Sequence, residues 1–452
     1  MTATATMSWG AHTRATLTLG LPLIGSHLAQ MALHVTDTIM LGWYSVEALA
    51  AGVLGASSFF VIFILGSGFA QAVMPLVATA LGHGDETQVR RDTRMGLWLS
   101  IAFGLACYPL FWFSGPILLA LGQQPVVAAL CQDYLRIAGL GMVPALLVMA
   151  LKSYLAALER TQVVLWATIA AVVLNAAFNW ALIFGNWGAP ELGVEGAAIA
   201  SVGSQAATLL VLALYAGWLP ELRRFRLFQR FWRADRAALV RVFRLGWPIG
   251  LTGLAESALF QTSALMMGWI GTVELAAHGI ALEVCSLAFM VHLGLSNAAT
   301  IRVGWANGAG DPRGLREGAR TAIALSAGFG VLVIVLFLAA PTPIIAIFLD
   351  TARPDSAAII AIGVTLLALG AMFQMADAMQ VIALGLLRGI KDTRVPMWLA
   401  AISYWVIGIP AGYTLAFPLG YGAVGLWLGL VVGLTVAAVL LMARFWMRAP
   451  RP

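Results

Sequence analysis

Long apolar runs, separated by short polar gaps, follow one another along the whole chain. They cover approximately residues 15–41, 47–78, 95–117, 126–150, 163–185, 193–217, 239–268, 275–304, 319–342, 356–387, 395–417 and 421–443. Each run is long enough for a helix that crosses a bilayer in about 20 residues, and none alternates as a barrel strand would. The pattern therefore predicts an all-α membrane protein with twelve transmembrane helices.

Composition supports this class and excludes others. Of the residues, 61% are hydrophobic and only 10% are charged, against about 25% charged in a soluble domain, so soluble globular and disordered chains are excluded. The net charge is +6, but the arginines lie between apolar runs without interleaved stacking aromatics, so we expect no nucleic-acid partner. The three cysteines form no CxxC pair, which indicates neither a disulfide framework nor a zinc site.

The basic residues predict how the helices are oriented. One alternating set of gaps, to which we assign Arg90, Lys152, Arg316 and Arg388, holds most of the Lys and Arg, and the other set holds very few. Basic gaps face the cytoplasm in membrane proteins. We therefore expect both termini in the cytoplasm, which agrees with an even number of spans.

The second half of the chain repeats the first at a shift of 226 residues. The matched positions include Gly20 with Gly246, Pro22 with Pro248, Asp85 with Asp311, and Arg90 with Arg316. Six spans per repeat give both halves the same orientation, as in one class of transporter. We expect an N-lobe over 1–217, a basic cytoplasmic linker over 218–238 and a C-lobe over 239–452.

The linker has alternatives that the sequence leaves open. Between 221 and 236, arginines alternate with phenylalanine, leucine and tryptophan, which suits an amphipathic element on the membrane surface. The segment could serve as a topology signal that joins two halves, or as a regulatory or lipid-binding element.

Four acidic residues are predicted to lie deep in the membrane: Asp37, Glu256, Glu283 and Asp377. An ionised group near the bilayer centre costs about 2.5–3.5 kcal/mol, and no Lys or Arg is expected at a depth that would pair all four. A mobile cation can supply the missing charge. We therefore predict that these acids bind a cation, which can be a proton, Na⁺ or an organic cation.

Neutral residues, most of them polar, extend this candidate region. The repeat aligns Glu256 with Gln30 and Asp37 with Ser263, so each half carries an acid where the other carries a neutral polar residue. Further candidates for a substrate cavity are Asn175, Asn179, Phe373, Gln374 and Gln380. The two asparagines are four residues apart and share a helix face, where they can offer oxygens to a cation or form an interhelical hydrogen bond.

Several segments carry a distinctive pattern, among them HVTDTIMLG (34–42), VLNAAFNWALIFG (173–185), GVEGAAIAS (193–201) and ADAMQVIALGLLRGIKDT (376–393), and they extend over nearly the whole chain. Together these segments resemble the multidrug and toxic compound extrusion (MATE) transporters, in particular the bacterial NorM-like branch. The resemblance implies two lobes of six helices in the bacterial inner membrane. It also implies export of organic cations in antiport with Na⁺ or H⁺.

The resemblance also implies roles for particular residues. Asp37 would be the acid of the N-lobe, and Glu256 with Asp377 would form the cation site of the C-lobe, where Na⁺ is a candidate. Two positions depart from the family pattern: Asn179 is an acid in archaeal relatives, and Glu283 stands where a neutral polar residue is usual. Glu283 could join the C-lobe site and change its ion preference.

Two other functions compete with a multidrug antiporter. A lipid-linked precursor flippase has the same superfamily fold, but its anionic substrate requires a basic cavity, whereas acids are predicted here. An intramembrane enzyme is disfavoured because the chain has no GxxxxGK[ST], HExxH or GxSxG motif. We expect a monomer that contacts small organic cations and membrane lipid and needs no cofactor besides the coupling ion.

Overall fold

Long helices make up most of this protein, whose structure is a computed structural model describing residues 7–349 and 354–450. In this part of the chain there are twelve long helices and no strand. The long helices are α1 (Trp9–Tyr44), α2 (Val46–Gly82), α3 (Glu86–Trp112), α4 (Pro125–Ala157), α5 (Thr161–Phe184), α6 (Gly193–Trp218), α7 (Arg236–Ile270), α8 (Thr272–Gly308), α9 (Pro312–Ala339), α10 (Ser356–Gly389), α11 (Arg394–Ala416) and α12 (Gly422–Arg448). Short helices lie at Ser114–Ala120, Pro220–Arg223 and Pro341–Ala346.

Each predicted apolar run falls mainly within one long helix, so the prediction of an all-α membrane protein is confirmed. Among the described residues, ten helices are long and apolar enough to cross a membrane, namely α2–α6 and α8–α12. Helices α1 and α7, of 36 and 35 residues, complete the set of twelve. Several helices begin before their apolar run because polar residues cap them. Asp85 accepts from the backbone N–H of Gln88 at 2.9 Å at the start of α3.

Two compact units divide the described chain. One comprises residues 25–250; the other comprises residues 7–24 with the described residues from 251 to 450. We call them the first unit and the second unit. Their boundaries fall inside α1 and α7, close to Pro22 and Pro248, where a helix backbone hydrogen bond is lost. The lobe limits 1–217 and 239–452 stay a prediction.

Glycines let the helices approach closely inside each unit. In the first unit, a Cβ added to Gly68 of α2 would collide with the backbone of Gly246 and Gly250 in α7. In the second unit, a Cβ on Gly294 of α8 would lie 2.8 Å from the backbone nitrogen of Ile24 in α1. Gly68 and Gly294 are equivalent in the 226-residue repeat, so the same close helix contact is built in both units.

The linker after α6 packs against the start of α3 and the end of α4. These are the helix ends that the sequence predicts to face the cytoplasm. After the short helix Pro220–Arg223 it forms successive turns, and the side chains of Phe225 and Leu227 are buried. The Phe225 ring meets Tyr154 of α4 edge-on at 6.3 Å. Two apolar side chains of the segment, Phe228 and Trp232, remain exposed. Much of the alternating pattern therefore serves packing within the first unit, which the sequence did not reveal.

An ion pair fixes the end of this linker. The Arg91 guanidinium donates to the carboxylate of Asp235 and is the main cause that lowers the pKa of Asp235 to about 2. Next to it, Arg241 of α7 donates to Asp92 of α3 at 3.0 Å. These contacts join α3, the linker and the start of α7.

We predict that Gly68→Ala and Gly294→Ala each lower stability by about 2 kcal/mol because the added methyl group meets backbone atoms that cannot rotate away. Gly328→Ala is the matched control on α9, since an added Cβ there would have no atom within 4 Å. Thermal unfolding in detergent measures the effect. Equal melting temperatures for all three variants and the wild type would show that the close contacts are absent.

We also predict a pH-dependent effect of Asp235→Asn. Because its folded-state pKa is about 2, below the unfolded value of about 3.9, the ion pair stabilises the protein above pH 4. Its contribution is lost as the pH falls through 2. The variant should be about 1 kcal/mol less stable at pH 7 and should approach the wild type near pH 2. A stability difference that does not change between pH 7 and pH 2 would contradict this assignment.

Candidate functional site

Two carboxylates of the second unit share one amide nitrogen. Glu256 comes from the middle of α7, and Asp377 and Gln380 lie one turn apart on α10. With the amide oriented to suit its neighbours, Gln380 Nε2 donates to Asp377 Oδ1 at 3.1 Å and to Glu256 Oε1 at 3.3 Å. Its Oε1 accepts from the Tyr404 hydroxyl at 2.6 Å. We call these four residues the acid pair site.

The acid pair site is buried in the helix bundle. Asp377 is 3% exposed, Gln380 and Tyr404 are completely buried, and Glu256 is half-buried. Two ionised carboxylates in such surroundings repel each other, and burial adds a further cost. The arrangement therefore favours a proton or a bound cation between or beside the two acids. The predicted association of Glu256 with Asp377 is found in this geometry.

A π-helical segment of α11 holds this site in place. It extends over Ile402–Gly408 and widens the helix by about one residue per turn. Tyr404 points from it to Gln380, and the indole of Trp405 donates to the carbonyl oxygen of Ala255 at 3.2 Å. Neighbouring residues of α11 thus contact both α10 and the residue before Glu256. Tyr404 is not among the residues predicted from the sequence, because a tyrosine in an apolar run carries no distinctive signal.

A positive residue lies closer to the acids than the sequence suggested. The Arg388 guanidinium, near the end of α10, interacts electrostatically with Glu256 and with Tyr404. The sequence predicts Arg388 in a basic gap, but the residue belongs to the last turn of α10, because the helix continues beyond the apolar run. The single positive charge of Arg388 offsets part of the negative charge of the acid pair site. It does not balance two ionised carboxylates.

Next to Asp377, the predicted cavity residues are buried. Phe373 packs edge-on against Phe260 at 6.0 Å and against Trp427 at 5.6 Å. Gln374 is completely buried, and both of its amide atoms have no hydrogen-bond partner among the described residues. A buried amide without partners is costly. Gln374 therefore has hydrogen-bonding capacity available beside the acid pair site.

In the first unit, Asp37 belongs to a ring of hydrogen bonds. Asn179 Nδ2 donates to Asp37 Oδ1 at 2.5 Å and to Asn175 Oδ1 at 3.1 Å. The Ser201 hydroxyl donates to Asp37 Oδ2 at 3.4 Å, and Asn175 Nδ2 donates to Ser201 at 3.5 Å. Helices α1, α5 and α6 thus meet at one carboxylate with neutral donors. Ser201 is not among the residues predicted from the sequence, although it is the last residue of the segment GVEGAAIAS.

Gln30 lies outside this ring. Its Oε1 accepts from the Lys152 ammonium at 3.5 Å. Lys152 belongs to α4 and is half-buried there, so its assignment to a loop was wrong: the apolar run continues as helix past it. At the position equivalent to Glu256, the first unit therefore has an amide beside a cation.

Glu283 is not brought to the acid pair site. It is half-buried on α8 and makes no hydrogen bond or ion pair with any described residue. Cys285, two residues later, is near enough to Asp377 to interact with it. Two residues differ by about 200° around a helix, so Glu283 lies on almost the opposite face. Among the described residues, no group of three or more His, Cys, Asp or Glu could hold a metal ion, at the acid pair site or at any other place.

Comparisons with known proteins agree with this architecture. The MatE family model matches residues 22–181 and 248–414, once in each repeat. The chain is 48% identical to the "Probable multidrug resistance protein NorM" of Rhizobium meliloti, over 97% of this chain and 94% of that protein. It is 46% identical to the protein of the same name in Agrobacterium fabrum, with the same coverage.

Solved structures show the same fold. The eukaryotic MATE transporter AtDTX14 superposes with a TM-score of 0.87 at 21% identity, covering 98% of this chain and 97% of that one. A MATE in complex with MaL6 gives a TM-score of 0.88 at 20% identity, covering 97% and 96%. The function for which these relatives are named is transport, which is not enzymatic. This agrees with the prediction from the sequence, which carries none of the catalytic motifs named above. With its twelve helices, its internal repeat and relatives of nearly equal length, the chain belongs to the MatE family, as a NorM-type multidrug efflux transporter of the membrane.

Proposed function

We propose that this transporter exports organic cations in antiport with Na⁺ or H⁺ and that the acid pair site binds the coupling ion. The observation that carries the proposal is the amide of Gln380 shared by Glu256 and Asp377. A neutral donor can orient two carboxylates but cannot neutralise them. A proton on one acid, or a Na⁺ among the carboxylate oxygens, supplies the missing positive charge.

Coupling follows from competition for this negative charge. A bound coupling ion lowers the attraction of the second unit for a cationic substrate, and a bound substrate lowers the affinity for the ion by the same factor. An ion that moves inward down its gradient supplies about 2.3 kcal/mol per charge for each 100 mV. Export of a singly charged cation works against the same potential, so a one-for-one exchange is driven by the concentration gradient of the ion, which supplies about 1.4 kcal/mol for each tenfold difference.

Asp37 is a second candidate position for a positive charge. The donors around it are the neutral groups of Asn179 and Ser201, so a proton or a substrate cation can approach the carboxylate without displacing an ion pair. We assign it to substrate binding or proton exchange in the first unit. Asn175 then serves to hold Asn179 and Ser201 in position.

The charge of these sites disfavours a lipid-linked precursor flippase. An anionic substrate would need several basic residues, whereas Glu256 and Asp377 have Arg388 nearby and Asp37 is held by neutral donors. The fold alone does not distinguish a multidrug transporter from a lipid-linked precursor flippase. A solved transporter from Pyrococcus furiosus, with a TM-score of 0.84 at 20% identity, is described as having a binding pocket of reversed polarity.

We place the protein in the bacterial inner membrane as a monomer surrounded by lipid, with both termini in the cytoplasm. The distribution of arginines over the gaps supports this orientation. The coupling ion and the substrates act without another cofactor.

The main prediction concerns the two acids. Glu256→Gln and Asp377→Asn should each reduce ion-driven efflux of a cationic dye by at least tenfold, because the variants lose the charge that binds the ion. Efflux from proteoliposomes with Na⁺ and pH gradients imposed separately measures this and identifies the ion. Glu283→Gln is the matched control, a half-buried acid outside the pair, and should transport normally. Wild-type efflux in both pair variants would refute the proposed site.

A second prediction concerns Tyr404. Tyr404→Phe removes the donor that holds the oxygen of the Gln380 amide, so the amide is held less firmly in the orientation that donates to both acids. We expect the ion concentration for half-maximal efflux to change several-fold, while binding of the dye is retained. Tyr413→Phe, at an exposed tyrosine of α11, is the control. Unchanged ion dependence in Tyr404→Phe would show that the hydroxyl does not position the amide.

A further inference from the structure

An apolar groove lies on the second unit between α9, α10 and α12. Its volume is about 810 Å³. Along α12 it extends from Val431 to Trp446, a rise of about 22 Å, which matches one lipid leaflet with its headgroup region, about 20–22 Å. Met372 and Val439 in its walls are 57% and 61% exposed. The groove is therefore open along its side and has the depth of one lipid leaflet.

The walls suit a flexible hydrocarbon chain. Of the lining residues, only Arg320 and Thr435 are polar, and none is acidic. Four are methionines, whose unbranched side chains adapt to an irregular apolar ligand. A cationic drug would find no counter-charge in these walls and would meet the guanidinium of Arg320. An acyl chain needs no partner other than the apolar surface.

Two arginines stand where the groove ends. Arg316 and Arg320 are one turn apart on α9 and share a face, and the Arg316 guanidinium lies over the Trp446 ring at 5.6 Å. Arg316 donates to the carbonyl oxygen of Pro450, and Arg320 pairs with Glu317 at 2.8 Å. The Arg320 and Glu317 side chains are 55% and 39% exposed, so this pair is weak. Each guanidinium has five N–H donors, which leaves donors for a phosphate.

The first unit shows how the equivalent place is filled. There Arg94, equivalent to Arg320, donates to the carbonyl oxygens of Gln229 and Arg230 at 3.2 and 3.0 Å. Trp98 stands where the second unit has Ala324, and it donates to the carbonyl oxygen of Phe231 at 3.0 Å. In the first unit, the linker thus supplies the carbonyl oxygens that accept from Arg94 and from Trp98.

The second unit lacks such a cover within the described chain. Ala324 lines the groove and is too small to fill it as Trp98 does. From this we infer that the groove binds an anionic phospholipid, with one acyl chain along α12 and the phosphate on Arg316 and Arg320. The phosphate oxygens take the part that the carbonyl oxygens of the linker take in the first unit. The lining of this groove shares no residue with the acid pair site.

The test measures binding of phosphatidylglycerol to the full-length protein in detergent by native mass spectrometry. Phosphatidylcholine with the same acyl chains is the comparison lipid. The wild type should bind phosphatidylglycerol more tightly, and the double variant Arg316→Gln with Arg320→Gln should bind it about tenfold more weakly. Arg313→Gln, an exposed arginine in the first turn of α9, should leave the binding unchanged.

A second variant tests the acyl part of the site. Ala324→Trp introduces the side chain present at the equivalent position of the first unit and should reduce phosphatidylglycerol binding. Leu332→Trp, at an exposed position of α9 outside the groove, should not. Equal binding of both lipids, or binding that neither the arginine pair nor Ala324→Trp reduces, would overturn the proposal. So would inorganic phosphate that competes as well as the lipid does, or a cationic dye whose binding Ala324→Trp blocks.

Discussion

Repulsion between two carboxylates that share one neutral amide inside a helix bundle is the interaction on which the rest of the site depends. Gln380 can donate to Glu256 and Asp377 together, but the energy of two buried negative charges remains. Arg388 interacts with Glu256 and lowers part of that energy. In the proposed mechanism, the part of that energy that Arg388 does not offset attracts a mobile cation, which can bind and leave again during transport.

The scaffold holds these acids without neutralising them. Tyr404 fixes the amide, and the indole of Trp405 bonds the backbone next to Glu256, so α11 positions residues of both α7 and α10. Phe373 packs between Phe260 and Trp427 beside the site. This packing keeps the surroundings apolar, which strengthens every electrostatic interaction of the acids. In the first unit, Asp37 is held by amides and a hydroxyl instead, so the two repeats use different chemistry on one framework.

Much of this could be predicted from the sequence. The twelve helices follow from apolar runs that exceed the thickness of a bilayer, and the repeat follows from glycine, proline and charged positions in register. The association of Glu256 with Asp377 came from the resemblance, since the two residues are 121 positions apart and no local pattern joins them. Tyr404, Ser201 and the proximity of Arg388 could not be found, because side-chain direction depends on helix rotation, including the π-helical turn of α11. Lys152 was misplaced because an apolar helix can continue past a single charge.

Equilibrium binding of a fluorescent organic cation, measured while Na⁺ concentration and pH are varied, tests the central claim most directly. The account predicts that one of these ions weakens dye binding and that the dye weakens binding of that ion by the same factor. Dye affinity that depends on neither Na⁺ nor pH would contradict it.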